Sequence, residues 1–149
     1  MLHFSEGEFA DRARRVRAAM ADRDLDALLL FAPEAQYWLT GHDTFGWCFH
    51  QCLVVTPERT ALLVRSADLR QAWQTSTVED VRVWVDGEGV DPTADLVAML
   101  ADRHGFAPAT TQWHGERLVE RDFDRLAAAL RRGRLRPVSE QAALGIAAE

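Results

Sequence analysis

The sequence predicts a three-layer α/β/α domain with a mixed sheet that contains a β-hairpin. Three observations carry this. Helix-like and strand-like periodicities alternate along most of the chain. Two apolar runs, Gln51 to Thr56 and Thr60 to Arg65, are joined only by Pro57, Glu58 and Arg59, which makes them antiparallel neighbours. With 149 residues, 48% hydrophobic and 27% charged, the chain can bury one real core but is too short for two full domains.

The elements follow in order. Ser5-x-x-Glu8 is a capping box, and Phe9, Ala13, Val16 and Met20 then recur at helical spacing, so a helix is expected over Glu6 to Arg23. Its other face, with Arg12, Arg15 and Arg23, reads as solvated surface. Asp26 to Phe31, "DALLLF", is a short apolar run before Pro33 and reads as a buried strand. Pro33 suits the first turn of a short helix to Trp38 or Leu39, which Gly41 can end.

After the hairpin, Ser66 is expected to cap a helix with Leu69, Ala72 and Trp73 inward. Val81, Val83 and Val85 alternate with Arg82 and Trp84, the two-residue period of a strand. "DGEGVDP" is a loop. Thr93 to His104 is a helix with Leu96, Val97 and Leu100 inward, stopped by Gly105. "TTQWHG" is a brief strand. Arg121 to Arg132 is a helix with Phe123, Leu126, Ala127 and Leu130 inward, closed by Gly133, and Arg134 to Val138 is a last strand. These elements fill residues 1–138. Residues 139–149 are a small, apolar tail or the start of a linker to a further domain.

Charge and composition exclude several functions. A net charge of −6 argues against a nucleic-acid binder, which needs a basic face. All seventeen basic residues are Arg, so Schiff-base lysine chemistry and a Gly-Lys phosphate loop are both excluded. No run approaches the roughly 18 apolar residues of a membrane span. The first twenty residues are charged and hold no apolar signal core, so no membrane association and a cytoplasmic location are expected. There is no G-x-S-x-G elbow. Gly87-x-Gly89 follows a strand, but Pro92 replaces the third glycine and Asp86, Glu88 and Asp91 would repel a pyrophosphate.

The stretch "QYWLTGHDTFGWCFHQC", Gln36 to Cys52, stands apart. It holds five of the thirteen aromatic residues, two of the five histidines and both cysteines. On one extended strand Cys48 and Cys52 would be about 13 Å apart, beyond disulfide reach, so both are expected to be reduced thiols. Cys48, His50 and Cys52 would then share a face about 6.6 Å apart, and zinc needs its donors closer. His42-Asp43 and His114-x-Glu116 are other donor pairs that no spacing forces together. No metal and no cofactor are therefore assigned to this chain.

Residues 5 to 138 resemble the N-terminal domain of the creatinase/prolidase/aminopeptidase P metallohydrolases. The likeness runs through Phe9, Arg12, Arg15 and Met20 of the first helix, then "LDALLLFAPEAQYWLTG" (Leu25 to Gly41), the "LVV…LLVR" hairpin and "ADLRQA". It implies a ribonuclease H-like fold with no catalytic residue here. It also implies a separate C-terminal catalytic domain, where two Asp, one His and two Glu hold divalent metal in the peptidases. In the family this domain dimerises and covers an active site. The expected function is thus a non-catalytic domain of a creatinase-like or Xaa-Pro peptidase-like C–N hydrolase, with a homodimer and its own C-terminal domain as partners. The segment Gly41 to His50 would be the lid, with His42, Asp43, Phe45, Trp47, Phe49 and His50 as substrate contacts. For Trp47 and Phe49 the domain's own core is an equal alternative, and Tyr37 and Trp38 are expected in that core. Small amidine or amide substrates suit an aromatic lid somewhat better than X-Pro peptides. A free-standing α/β ligand- or protein-binding module is the alternative function.

Overall fold

A computed structural model describes residues 3–25, 27–46, 48–104, 110–114 and 134–137. The first helix, α1 (Glu6–Asp22), opens on the expected box. Ser5 Oγ accepts the Glu8 N–H at 3.3 Å, and the Glu8 carboxylate accepts the Ser5 N–H at 3.0 Å. Two of the four orphan donors of the first turn are satisfied in this way. Strand β1 (Ala27–Leu30) and helix α2 (Pro33–Thr40) follow, with Pro33 in the first turn of α2.

The hairpin is β2 (Cys52–Val55) and β3 (Thr60–Arg65), paired antiparallel from Cys52↔Leu63 to Val55↔Thr60. A 3₁₀ turn (Ser66–Asp68) leads into α3 (Leu69–Thr75), then β4 (Asp80–Trp84) and α4 (Pro92–His104). Strands β5 (Thr110–His114) and β6 (Arg134–Pro137) complete the sheet. Its order is β4-β3-β2-β1-β5-β6, antiparallel at β1–β2 and β2–β3 and parallel at β3–β4, β1–β5 and β5–β6. The expected helix Arg121 to Arg132, its stop at Gly133, the stop at Gly105 and the tail lie outside the described residues.

Two cores divide the sheet. On one face Leu28, Leu30, Leu53, Val55, Leu62 and Val64 pack under Val16 and Met20 of α1, Ala35 and Leu39 of α2, and Ala72 of α3. On the other, Leu29, Cys52, Val54, Ala61 and Leu63 pack under Leu96, Met99 and Leu100 of α4. Covered on both faces, β1 and β2 read as unbroken apolar runs, as interior strands do. Each fully buried Leu or Val contributes about 1.5–3 kcal/mol.

Three local expectations change, and one point that the alternation in β4 left open is settled. Trp73 was expected inward but is 64% exposed, because a seven-residue helix turns only Ala72 fully onto the sheet. Neither Ser66 nor Asp68 makes a side-chain cap at this turn. On β4 the buried residue is Trp84 while Val83 is exposed, and Val85, just beyond the strand, is exposed as well. Alternation marks two faces without saying which is covered: Trp84 joins the core under α4, while on the α3 face only Val81 is partly covered. Finally, Arg12 is not solvated surface. Its Nη1 donates to the Trp38 carbonyl at 2.7 Å, and its guanidinium lies 4.1 Å from the Phe4 ring centre and 5.2 Å from that of Trp38. Tyr37 and Trp38 are accordingly half-buried between α1 and α2.

Candidate functional site

The segment 42–50 lies where β1, β3 and β4 end and β2 begins, since it connects α2 to the first residue pair of β2. Gly41 starts it. This residue takes the left-handed conformation (φ 80°) that closes α2, and its N–H donates to the Tyr37 carbonyl at 2.7 Å.

His42 points inward and is 1% exposed. Its Nε2 lies 3.4 Å from Gln51 Oε1, and its backbone N–H donates to Thr40 Oγ1 at 3.3 Å. His42 Nδ1 and Gln51 Nε2 are buried without a hydrogen-bond partner among the described residues. Burial pushes the His42 pKa down, against the Gln51 hydrogen bond and the Asp68 and Asp43 carboxylates, which pull it up. The ring is therefore a neutral donor–acceptor at physiological pH.

The rest of the segment is pinned to the chain beyond the hairpin. The Asp43 N–H donates to Thr75 Oγ1 at 3.1 Å, and its side chain is exposed. Gly46 lies against Asp68 so closely that a Cβ there would fall 2.9 Å from Asp68 Cγ. The Phe49 N–H donates to the Gly46 carbonyl at 2.8 Å and closes a turn. Above the turn, the Arg65 guanidinium covers the Phe49 ring at 4.0 Å, and Arg65 Nε bonds Asp86 Oδ2 at 2.7 Å. His50 sets its ring edge-on to Phe31 at 5.9 Å, and its carbonyl accepts Trp84 Nε1–H at 2.8 Å.

The six expected contact residues thus separate. Phe45 is 88% exposed, Phe49 is 41% exposed, and Asp43 stands in solvent with them. His42 is inside and His50 is half-buried. Trp47 lies outside the described residues. Gln51, Arg65, Asp68 and Thr75 belong to the same arrangement and were not anticipated. Only Gln51, a polar residue opening an apolar strand, offered a sequence signal.

Cys48, His50 and Cys52 do not share a strand, because β2 begins only at Cys52. Cys48 is exposed and Cys52 is buried, its thiol pushed well above the ordinary range by loss of solvent. Among the described residues no group of three or more His, Cys, Asp or Glu is placed to hold a metal ion. A cavity of about 750 Å³ opens elsewhere, between α1, the hairpin turn and the start of β4, lined by Phe9, Leu39, Glu58, Thr60 and Glu79 among others. None of the six expected residues lines it.

The sequence matches the creatinase/prolidase N-terminal domain family over residues 12–142. The chain belongs to that family. Among curated proteins this creatinase/prolidase N-terminal domain is 30% identical over 104 residues to an ectoine hydrolase of Halomonas elongata, a match covering 69% of this chain and 24% of that protein. It is also 30% identical over 106 residues to an uncharacterised hydrolase/peptidase of Sinorhizobium fredii, covering 70% of this chain and 25% of that one. The chain therefore spans about a quarter of the length of the curated relatives it matches.

Among solved structures, the creatinase/prolidase N-terminal domain of an X-Pro dipeptidase from Streptococcus pyogenes superposes with a TM-score of 0.73 at 18% identity. That match covers 91% of this chain and 98% of that one. The N-terminal domain of the cytoplasmic peptidase PepQ from Mycobacterium tuberculosis superposes at 0.65 with 20% identity, over 93% and 96% of the two chains. At these identities the likeness is one of fold. No helix among the described residues is long and apolar enough to cross a membrane.

Proposed function

We propose that this domain is the non-catalytic N-terminal part of a creatinase-like or Xaa-Pro peptidase-like C–N hydrolase. Its α/β/α layering would be ribonuclease H-like. It would contribute to dimerisation and govern substrate access, while a C-terminal domain, with divalent metal where the enzyme is a peptidase, performs the chemistry in the cytoplasm. The observation that carries this is the exposed pair Phe45 and Phe49, on a segment whose backbone is tied to Thr75 and packed against Asp68. On this pinned backbone the Phe45 ring, 88% exposed, has little reason within its own domain, while the Phe49 ring is partly covered by Arg65. They suit a lid that buries area on a neighbour at low entropic cost.

The match to about a quarter of two proteins named as hydrolases supports a catalytic remainder elsewhere. For the substrate, the exposed Phe45 ring and the exposed Asp43 carboxylate of this segment favour a compact cation of the amidine type over an X-Pro peptide. The relative named for ectoine hydrolysis agrees with this choice.

The purified chain should turn over neither an X-Pro dipeptide, creatine nor ectoine, with or without divalent metal. Turnover of any of them would overturn the non-catalytic assignment. In the full-length enzyme the double substitution His42→Ala, Asp43→Ala should change turnover or KM. Wild-type values for both would remove the lid role.

A further inference from the structure

The cavity of about 750 Å³ lies apart from the lid segment. Thr60 and Asp80, the first residues of β3 and β4, line it. The 42–50 segment is held instead at Arg65 and Trp84, where the same two strands end. The volume falls within the range of about 300–1,000 Å³ typical of sites for a drug-sized ligand. Its buried lining is apolar, with Phe9 of α1, Leu39 of α2 and Val78. One wall is fixed in advance, because the Thr77 N–H and hydroxyl both donate to the Thr40 carbonyl, at 2.8 and 3.3 Å.

Charge marks the rim. Glu6 of α1, Glu58 of the hairpin turn and Glu79 just before β4 are exposed lining residues, and none of the three makes an ion pair among the described residues. Asp80 is already held by Arg82 at 3.2 Å. Arg59 is the one cation among the lining residues. Arg17 does not line the cavity; it donates to the Thr56 carbonyl at 3.0 Å and to the Thr60 hydroxyl at 2.9 Å. The three open carboxylates come from three separate segments, so a single ammonium group cannot meet them all.

We propose that this groove docks a peptide segment of another protein, one that carries a large apolar side chain between two basic ones. The apolar side chain leaves water against Phe9, Leu39 and Val78, and this burial supplies the affinity. The basic residues on either side face the rim carboxylates. Exposed ion pairs contribute little binding energy, so these charges act chiefly as a filter that admits a basic segment and repels an acidic one. The groove is independent of the lid, and neither assignment needs the other.

The test is an NMR titration of the ¹⁵N-labelled 149-residue chain with three N-acetylated, C-amidated tripeptides: Lys-Leu-Lys, Lys-Gly-Lys and Glu-Leu-Glu. Lys-Leu-Lys should shift the amides of Ala13, Thr60 and Val78 saturably and leave those of Phe45 and Phe49 in place. Its affinity should fall severalfold as salt rises from roughly 0.05 to 0.5 M. The other two peptides should bind at least about tenfold more weakly, one for want of the apolar side chain and one through repulsion. The double substitution Glu58→Lys, Glu79→Lys, at two exposed positions, should reverse the preference between Lys-Leu-Lys and Glu-Leu-Glu, with circular dichroism confirming the fold. The proposal is overturned if Lys-Leu-Lys gives no saturable shift at these amides up to about 10 mM. Equal binding of Lys-Gly-Lys or Glu-Leu-Glu, or a preference that survives the charge reversal, also overturns it. Shifts at the same amides that grow with the concentration of the chain alone would seat a second copy in the groove and overturn it as well.

Discussion

The Arg65 guanidinium lies 4.0 Å from the centre of the Phe49 ring while its Nε holds Asp86 Oδ2 at 2.7 Å. One cation therefore joins the 42–50 segment to the end of β3 and to the chain leaving β4. The cation–π contact is worth about 0.5–1 kcal/mol where exposed, and a half-exposed ion pair at most about 1. Arg65→Ala should cost about 1 kcal/mol in denaturant unfolding. It should also speed amide exchange at Phe49, whose N–H closes the turn on Gly46. Exchange at Phe49 unchanged from wild type would show that the stack does not hold the segment.

Gly46 and Asp68 compete for one volume. In Gly46→Ala the new methyl meets the Asp68 carboxylate, so the segment or the 3₁₀ turn must move. The expected cost is about 1–3 kcal/mol, the usual range for overpacking. Asp68→Ala should be mild alone and should recover most of the loss in the double variant. A double-mutant cycle with additive effects would contradict the contact.

His42 gives a pH dependence of known sign. Its folded pKa is below its ordinary value of 6.5, chiefly through burial, so the unfolded chain binds the proton more readily. Its stabilisation is complete above about pH 6.5 and is lost as the pH falls through that value towards the folded pKa. Unfolding free energies of wild type and His42→Gln, measured across this range, should differ in slope, with the wild type losing more on acidification. Parallel curves would mean that burial does not shift this ring.

Phe45 separates function from fold. At 88% exposure its ring contributes almost nothing to the core, so Phe45→Ser should change stability by less than about 0.5 kcal/mol. In the full-length enzyme the same change should raise KM severalfold if the ring meets substrate or the catalytic domain. An unchanged KM would remove Phe45 from the site.

Much of this architecture was legible locally. The Ser5–Glu8 box, the Pro33 start and Gly41 stop of α2, and the short Pro57–Arg59 connection each rest on physics within a few residues, and each is in place. What was not legible is long-range. The periodicity of β4 did not say whether Trp84 or the valines face inward, because that depends on which side a helix covers. Arg12 looked like surface because the rings that hold it, Phe4 and Trp38, belong to the N-terminal turn and to α2. The 42–50 segment stood out by composition alone. Its anchors Arg65, Asp68 and Thr75 lie 16, 22 and 32 residues beyond the residues they hold, Phe49, Gly46 and Asp43, at separations to which no periodicity applies.

The two cysteines differ in a way that an experimenter can use directly. Cys52 is closed off between β1, β3 and the α4 core, and its raised pKa leaves almost no thiolate, whereas Cys48 stands at the surface within the aromatic segment. A maleimide dye should therefore label this 149-residue chain at a single position. Its fluorescence would report, without any substitution, when a second molecule settles over Phe45 and Phe49.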